Sequence, residues 1–241
     1  MITGFSKSTC APVLWAISLG FLSATQTLAH EENFEERVRD YILANPQVIL
    51  EAMETLSQQQ AEMAMVAKLG AYPALFEGPA SLGIGAPDAP IRVVEFFDYK
   101  CAPCKAIHPH LETLAATYPD LRIEMKHLPI LTPGSERASR FALATQLVFG
   151  DHAYLEVNDA LWAVPGPLNI MGFKRIADDL GYDFAMIEAA MDDPSITAEV
   201  DGNRDIAIDL GVLGTPAFVT SNSLTIGETD VEKLAQLWLS Q

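Results

Sequence analysis

Cysteine is scarce in this chain: Cys10, Cys101 and Cys104 are the three among 241 residues, too few for a four-thiolate zinc site. Basic residues are also few, 15 Lys and Arg against 32 Asp and Glu, for a formal charge of −17. So acidic a chain repels nucleic acid and anionic lipid, and its charge mainly supports solubility. The longest apolar run, Ala11 to Leu22, is too short to cross a bilayer comfortably. What this run does resemble is the core of an export signal. Lys7 precedes it and Thr27-Leu28-Ala29 supplies small residues where a signal peptidase cuts, so residues 1–29 are expected to be a cleaved signal peptide. Cleavage removes Cys10 and Lys7, which takes the charge from −17 to −18. The mature chain then holds two cysteines in an oxidising compartment, the periplasm, where they pair with each other or with a partner protein.

Residues 30–69 are expected to form an N-terminal helical arm, broken once at Asn45-Pro46. Phe34, Val38, Tyr41 and Ile42 mark one face of its first piece; Ile49, Leu56 and Met63 recur every seven residues in the second. That pattern over 33–68 fits either a helix packed on its own domain or a seam that builds a dimer or trimer. Residues 70–90, rich in Gly and Pro, have the composition of a linker. The main domain, 91–241, opens strand-helix-strand: Ile91 to Asp98, Ala102 to Tyr118, Leu121 to Lys126. Such a crossover implies a parallel pair. An all-helical block, about 134–210, follows, then two short strands, Ala217 to Thr220 and Ser223 to Ile226, and a last helix from Asp230. The order describes a small α/β fold interrupted by a helical insertion.

The chemistry is concentrated at Cys101-Ala102-Pro103-Cys104. Cys101 falls where a buried strand gives way to a helix, and there the unpaired N–H groups and the dipole favour a thiolate over a thiol. Three readings stand: a redox pair, half of a zinc or copper site completed by His108 and His110, or a structural disulfide. A four-residue loop constrains little of the unfolded chain, which weighs against the last. Glu95, six residues before Cys101, lies in a run of Val and Phe that should raise its pKa and suit it to accept a proton. Lys100 and Lys105 put positive charge beside the cysteines and are expected to favour the thiolate. His127, His152, Trp162 and Trp238 read as packing residues.

Glu95-Phe96-Phe97-Asp98-Tyr99-Lys100-Cys101-x-x-Cys104-Lys105, Leu128-Pro129-Ile130-Leu131 and Gly211-Val212-Leu213-Gly214-Thr215-Pro216-Ala217-Phe218 together resemble the DsbA-like thiol-disulfide oxidoreductases of the thioredoxin superfamily. The match is with the ScsC-like branch, which carries an N-terminal helical extension. The resemblance implies a thioredoxin fold with an inserted α-helical domain. It also makes Thr215-Pro216 a cis-proline loop that binds substrate opposite the cysteines, with Ala102 and Pro103 on the same substrate-facing surface. Glu95 matches the family's buried acid. No cofactor and no metal is implied. The partners implied are proteins with thiols or disulfides and a membrane redox protein that recycles the pair.

The mechanism expected is thiol-disulfide exchange, with Cys101 exposed and attacking and Cys104 more buried and resolving. Ala102-Pro103 departs from the Pro-His pair of strongly oxidising DsbA proteins, and Thr215 resembles the isomerase and reductase side of the superfamily. An isomerase-leaning enzyme is therefore expected, against a monomeric dithiol oxidase. From a different class, the branch's association with copper tolerance makes copper binding at Cys101, Cys104 and His108 the alternative.

Overall fold

A computed structural model describes residues 24–240. Residues 1–23, most of the expected signal peptide, lie outside the described residues. The chain divides into two compact units, up to Gln58 and from Gln59 onward.

The first unit is helical. Helix α1 runs Ala24–Ala44 and α2 runs Gln47–Leu69, extending into the second unit. The break between them falls at Asn45-Pro46, as the sequence predicts: a proline disfavours helical geometry in the residue before it. Asn45 closes the end of α1 by donating its side-chain amide to the Tyr41 carbonyl at 2.9 Å. The apolar residues of this unit do not form a core. Phe34, Val38, Tyr41, Leu43, Ile49, Leu50, Met53 and Leu56 are all exposed.

The second unit is built on a five-stranded sheet in the order β1-β3-β2-β4-β5, with β1 Gly83–Ile84, β2 Ile91–Phe97, β3 Leu121–His127, β4 Ala217–Val219 and β5 Leu224–Ile226. The central pair β2–β3 is parallel, in register from Ile91 opposite Leu121 to Phe97 opposite His127; the other pairs are antiparallel. Side chains alternate across β2, as a strand requires. Val93 packs with Ile107, Leu111 and Leu114 of α3 (Ala102–Thr117) and Leu234 and Trp238 of α9 (Val231–Leu239). Val94 and Phe96 face the other way, onto Leu128, Ala207, Leu210 and Val212. Glu95 shares the parity of Val93, so its carboxylate lies on the face that α3 covers. Between β3 and β4 come α4 Pro133–Phe149, α5 Asp151–Ala163, α6 Ile170–Leu180, α7 Phe184–Ala190 and α8 Pro194–Leu210. Their core, which includes Phe141, Tyr154, Val157, Phe173 and Ile187, also takes in Phe97, Tyr99, Cys101 and Cys104. The helical insertion thus packs directly against the cysteine motif.

The glycine- and proline-rich stretch 70–90 departs from its expected role as a linker. Leu75 and Leu82 are buried, short 3-10 turns span Pro73–Phe76 and Ala80–Leu82, and β1 joins the sheet edge against Glu124 and Ile123. Arg122, itself buried on β3, is the physical reason. Its guanidinium donates to the carbonyls of Pro79, Ala80 and Gly85 and pairs with buried Glu124. Arg92 adds the Phe76 carbonyl at 3.1 Å and a 2.8 Å ion pair to the same Glu124. Backbone carbonyls that water would otherwise satisfy are met by fixed cations, which straps the segment down. Gly83 is required here, because a Cβ at that position would stand 2.3 Å from the Arg122 guanidinium.

Candidate active site

Cys101 is the N-cap of α3. Its backbone N–H bonds back to the Asp98 carbonyl at 2.9 Å, and its sulfur accepts the Cys104 N–H at 3.4 Å. Pro103 sits in the first turn, where its missing N–H costs nothing. Neither cysteine is in a disulfide. Across from them the chain turns through Thr215-Pro216, a cis peptide bond as the resemblance implies. The Thr215 carbonyl accepts from Cys101 Sγ at 3.1 Å.

One expectation is corrected at this point. Cys101 is not an exposed sulfur: it is 4% accessible, while Ala102 and Pro103 beside it are exposed. The Thr215 carbonyl lies against the sulfur, with exposed Ala102 and Pro103 beside it. The two thiols are nonetheless distinguished electrostatically. Hydrogen bonding from Cys104 lowers the Cys101 pKa to about 6; burial opposes this, Thr215 assists, and the charge of Asp98 opposes. The Cys104 thiol is pushed up, first by its hydrogen bond to Cys101, then by burial and by Glu95. At neutral pH the helix-start sulfur is therefore the more readily ionised of the two.

Glu95 is fully buried and neither of its oxygens has a hydrogen-bond partner. Burial, followed by the nearby Cys101 charge, raises its pKa to about 8. A carboxyl group there holds a proton near neutrality and titrates where thiols do.

The flanking lysines do something other than expected. Lys100 donates its ammonium to the Gly166 carbonyl at 3.2 Å and Lys105 to the Val164 carbonyl at 2.5 Å. Both heads tether the Pro165-Gly166-Pro167 turn between α5 and α6, and neither is among the influences that lower the Cys101 pKa.

The metal arrangement weighed from the sequence does not assemble. His110 is exposed, whereas buried His108 turns its Nε2 towards Glu112 at 3.7 Å and groups with Glu112 and Asp159 rather than with the thiols. His108 also stacks on Trp162 at 4.7 Å.

Sequence reasoning missed the layer behind the motif. Tyr99 donates to Asn158 at 2.7 Å, His127 pairs with Tyr154 at 3.1 Å, and the rings of Phe97, Tyr99, His127 and Trp162 pack in edge-on and tilted contacts. Burial keeps His127 neutral by lowering its pKa to about 3. Asp98 was equally unforeseen; its place three residues before Cys101 was the only signal.

A parallel-centred sheet, a dithiol at a helix start and a cis-proline facing it define a thioredoxin-fold dithiol protein. The comparisons take this further. Residues 92–238 match the family model described as DSBA-like thioredoxin domain, and residues 31–62 match the Copper resistance protein ScsC N-terminal domain. The chain belongs to the DsbA-like family of thiol-disulfide oxidoreductases. A thioredoxin-like oxidoreductase from Silicibacter pomeroyi is 32% identical, with a TM-score of 0.63 over 69% of this chain and 94% of that one. A linker-deleted ScsC from Proteus mirabilis is 25% identical, with a TM-score of 0.64 over 92% and 99%. The thiol-disulfide exchange protein alpha-DsbA2 from Wolbachia pipientis, 23% identical with a TM-score of 0.67 over 75% and 97%, shares the fold. Among curated proteins, 156 residues are 28% identical to Na(+)/H(+) antiporter NhaA 3 of Salinispora tropica. The chain spans about a quarter of the length of the curated relatives it matches, 24% and 23%. No described helix is long and apolar enough to cross a membrane.

Proposed function

We propose that this chain exchanges disulfides with protein substrates through Cys101 and Cys104, leaning towards isomerisation and reduction. The observation that carries the reading is the Cys101 sulfur, lowered to about pKa 6 at a helix start and facing the Thr215-Pro216 loop. The Cys101 thiolate attacks one sulfur of a substrate disulfide; that S–S bond breaks, a mixed disulfide forms and the second substrate sulfur leaves as thiolate. Glu95, in the minor fraction that is ionised near neutral pH, takes the Cys104 proton, and the Cys104 thiolate attacks Cys101 Sγ, releasing a reduced substrate and an oxidised pair. In isomerisation a different substrate thiolate attacks the substrate sulfur of the mixed disulfide instead; a new substrate S–S bond forms, Cys101 leaves as thiolate, and the dithiol is restored with no net electron transfer. Thr215, Pro216, Ala102 and Pro103 supply the surface on which the substrate segment rests.

The compartment and assembly belong to the same reading. Residues 1–29 direct export to the periplasm, where a membrane redox partner recycles the cysteines. The exposed apolar stripe on α1 and α2 joins copies into a dimer or trimer, placing several active sites around one substrate. That stripe is what favours an isomerase over a monomeric oxidase. The copper reading has a matching family name on residues 31–62 but no thiol-imidazole cluster among the described residues. Scrambled ribonuclease is the test. Recovery of activity by the reduced protein supports the isomerase; no recovery, with rapid oxidation of reduced ribonuclease, would put the oxidase first.

A further inference from the structure

Asp98 follows the last residue of β2 and its side chain is completely buried. Its carboxylate accepts three backbone N–H groups from two separate segments. Oδ1 takes Lys100 at 2.7 Å; Oδ2 takes Ile130 and Leu131, each at 3.0 Å. Its own carbonyl takes the Cys101 N–H. No described cation pairs with it, since the ammonium of neighbouring Lys100 is bound to Gly166. The residues it ties down are not core: Ile130 is 42% and Leu131 51% exposed, large apolar side chains in the loop that follows β3.

We propose that Asp98 is a positioning residue for the exchange reaction: one carboxylate locks the cysteine loop to the loop after β3, and so presents Ile130 and Leu131 as part of the surface that an apolar substrate segment meets. This rests on the disulfide-exchange reading above. An ordinary turn cap would not account for the choice of residue. Asn offers one acceptor oxygen, so it would turn an amide donor either on the Lys100 N–H or on the pair from Ile130 and Leu131. Only a carboxylate serves both segments at once, with charge-assisted bonds about twice as strong as neutral ones. The arrangement has a cost at the sulfur, because the same charge acts against the Cys101 thiolate. Besides Asp98, the titratable groups facing that sulfur are Cys104 and Glu95. Asp98 therefore does two things that can be measured apart: it fixes a docking loop and it restrains the nucleophile.

The test compares full-length wild type with D98N, D98A and the double variant I130S/L131S. Three quantities are read: the ultraviolet titration of the Cys101 thiolate, KM and kcat for an apolar disulfide-bonded peptide, and hydrogen exchange at the Ile130 and Leu131 amides. D98N and D98A should both move the thiolate midpoint down, by about 0.5 pH or more. D98A should also raise KM about fivefold or more and speed amide exchange at Ile130 and Leu131. I130S/L131S should raise KM alone, with the wild-type midpoint. An unchanged midpoint in D98N, or wild-type KM in a folded D98A, would overturn the proposal. Should D98A fail to fold, D98N and the double variant read the two effects separately. Wild type without turnover on any disulfide would sink the exchange reading, while the midpoint and the amide exchange would still judge the clamp.

Discussion

The helical arm and the thioredoxin-fold unit place polarity in opposite ways. Up to Gln58 the large apolar side chains stand in solvent, Leu50 at 69% and Phe34 at 64% exposure. From Gln59 onward three carboxylates, Glu95, Asp98 and Glu124, are buried. Neither pattern stabilises an isolated chain. Exposed apolar stripes want a partner, and buried acids want a proton, an amide or a cation. In the proposed reading the arm is shaped by association, and the unit that follows by reaction chemistry and the bonds that support it.

The sharpest test of that contrast is at the cysteines. Cys101→Ser should reduce insulin-disulfide turnover to background, whereas Cys104→Ser should accumulate mixed disulfides with substrate; equal residual activity in both would erase the assigned roles. Next in size is Glu95. Its folded pKa, about 8, lies above the ordinary 4.5, so the native state binds more protons than the unfolded chain between those values. Stability contributed by the neutral form is then lost as pH rises from about 4.5 through 8. The rise corresponds to at most about 5 kcal/mol. Glu95→Gln should therefore flatten the fall in Tm between pH 5 and pH 8; a parallel fall in the variant would refute the assignment. Arg122→Ala leaves Glu124 with Arg92 alone and frees three carbonyls of the strap, and should cost about 3–5 kcal/mol in a urea titration. Smallest for the fold is the arm. Changing Ile49, Leu56 and Met63 together to Ser should lower the mass seen by light scattering to that of a monomer, with Tm of the remaining unit nearly unchanged. A monomeric wild type would break the comparison outright.

How much of this could be read from the sequence follows the range of the forces involved. Helices α3 to α9 and the central strands were legible because each carries its own periodicity, and most of the helices a capping side chain. Thr132, Asn169, Asp183, Asp193 and Asp230 do cap helices through side-chain bonds to nearby N–H groups. The Cys-Ala-Pro-Cys spacing left a redox pair, a metal half-site and a structural disulfide open; the resemblance chose among them, and it alone supplied the cis-proline. Interactions between distant residues were not legible. Nothing local to Gly83–Ile84 marks a strand; Arg122, nearly forty residues on, makes it one. The exposure of Cys101 was misjudged because its cover, the Thr215 carbonyl, comes from 114 residues away. Lys100 and Lys105 were assigned to the sulfur because their true partners, Gly166 and Val164, lie in the insertion.

The strap that Arg122 holds has a further consequence. Without it, β3 would be an edge strand of seven buried residues, with a row of unpaired amides and carbonyls open to any extended chain. Two residues of β1 occupy the middle of that row, and turns laid across Arg122 and Arg92 screen the rest. The opposite edge, β5, is only three residues long. Neither edge of the sheet therefore offers an incoming extended chain a long row of free backbone groups.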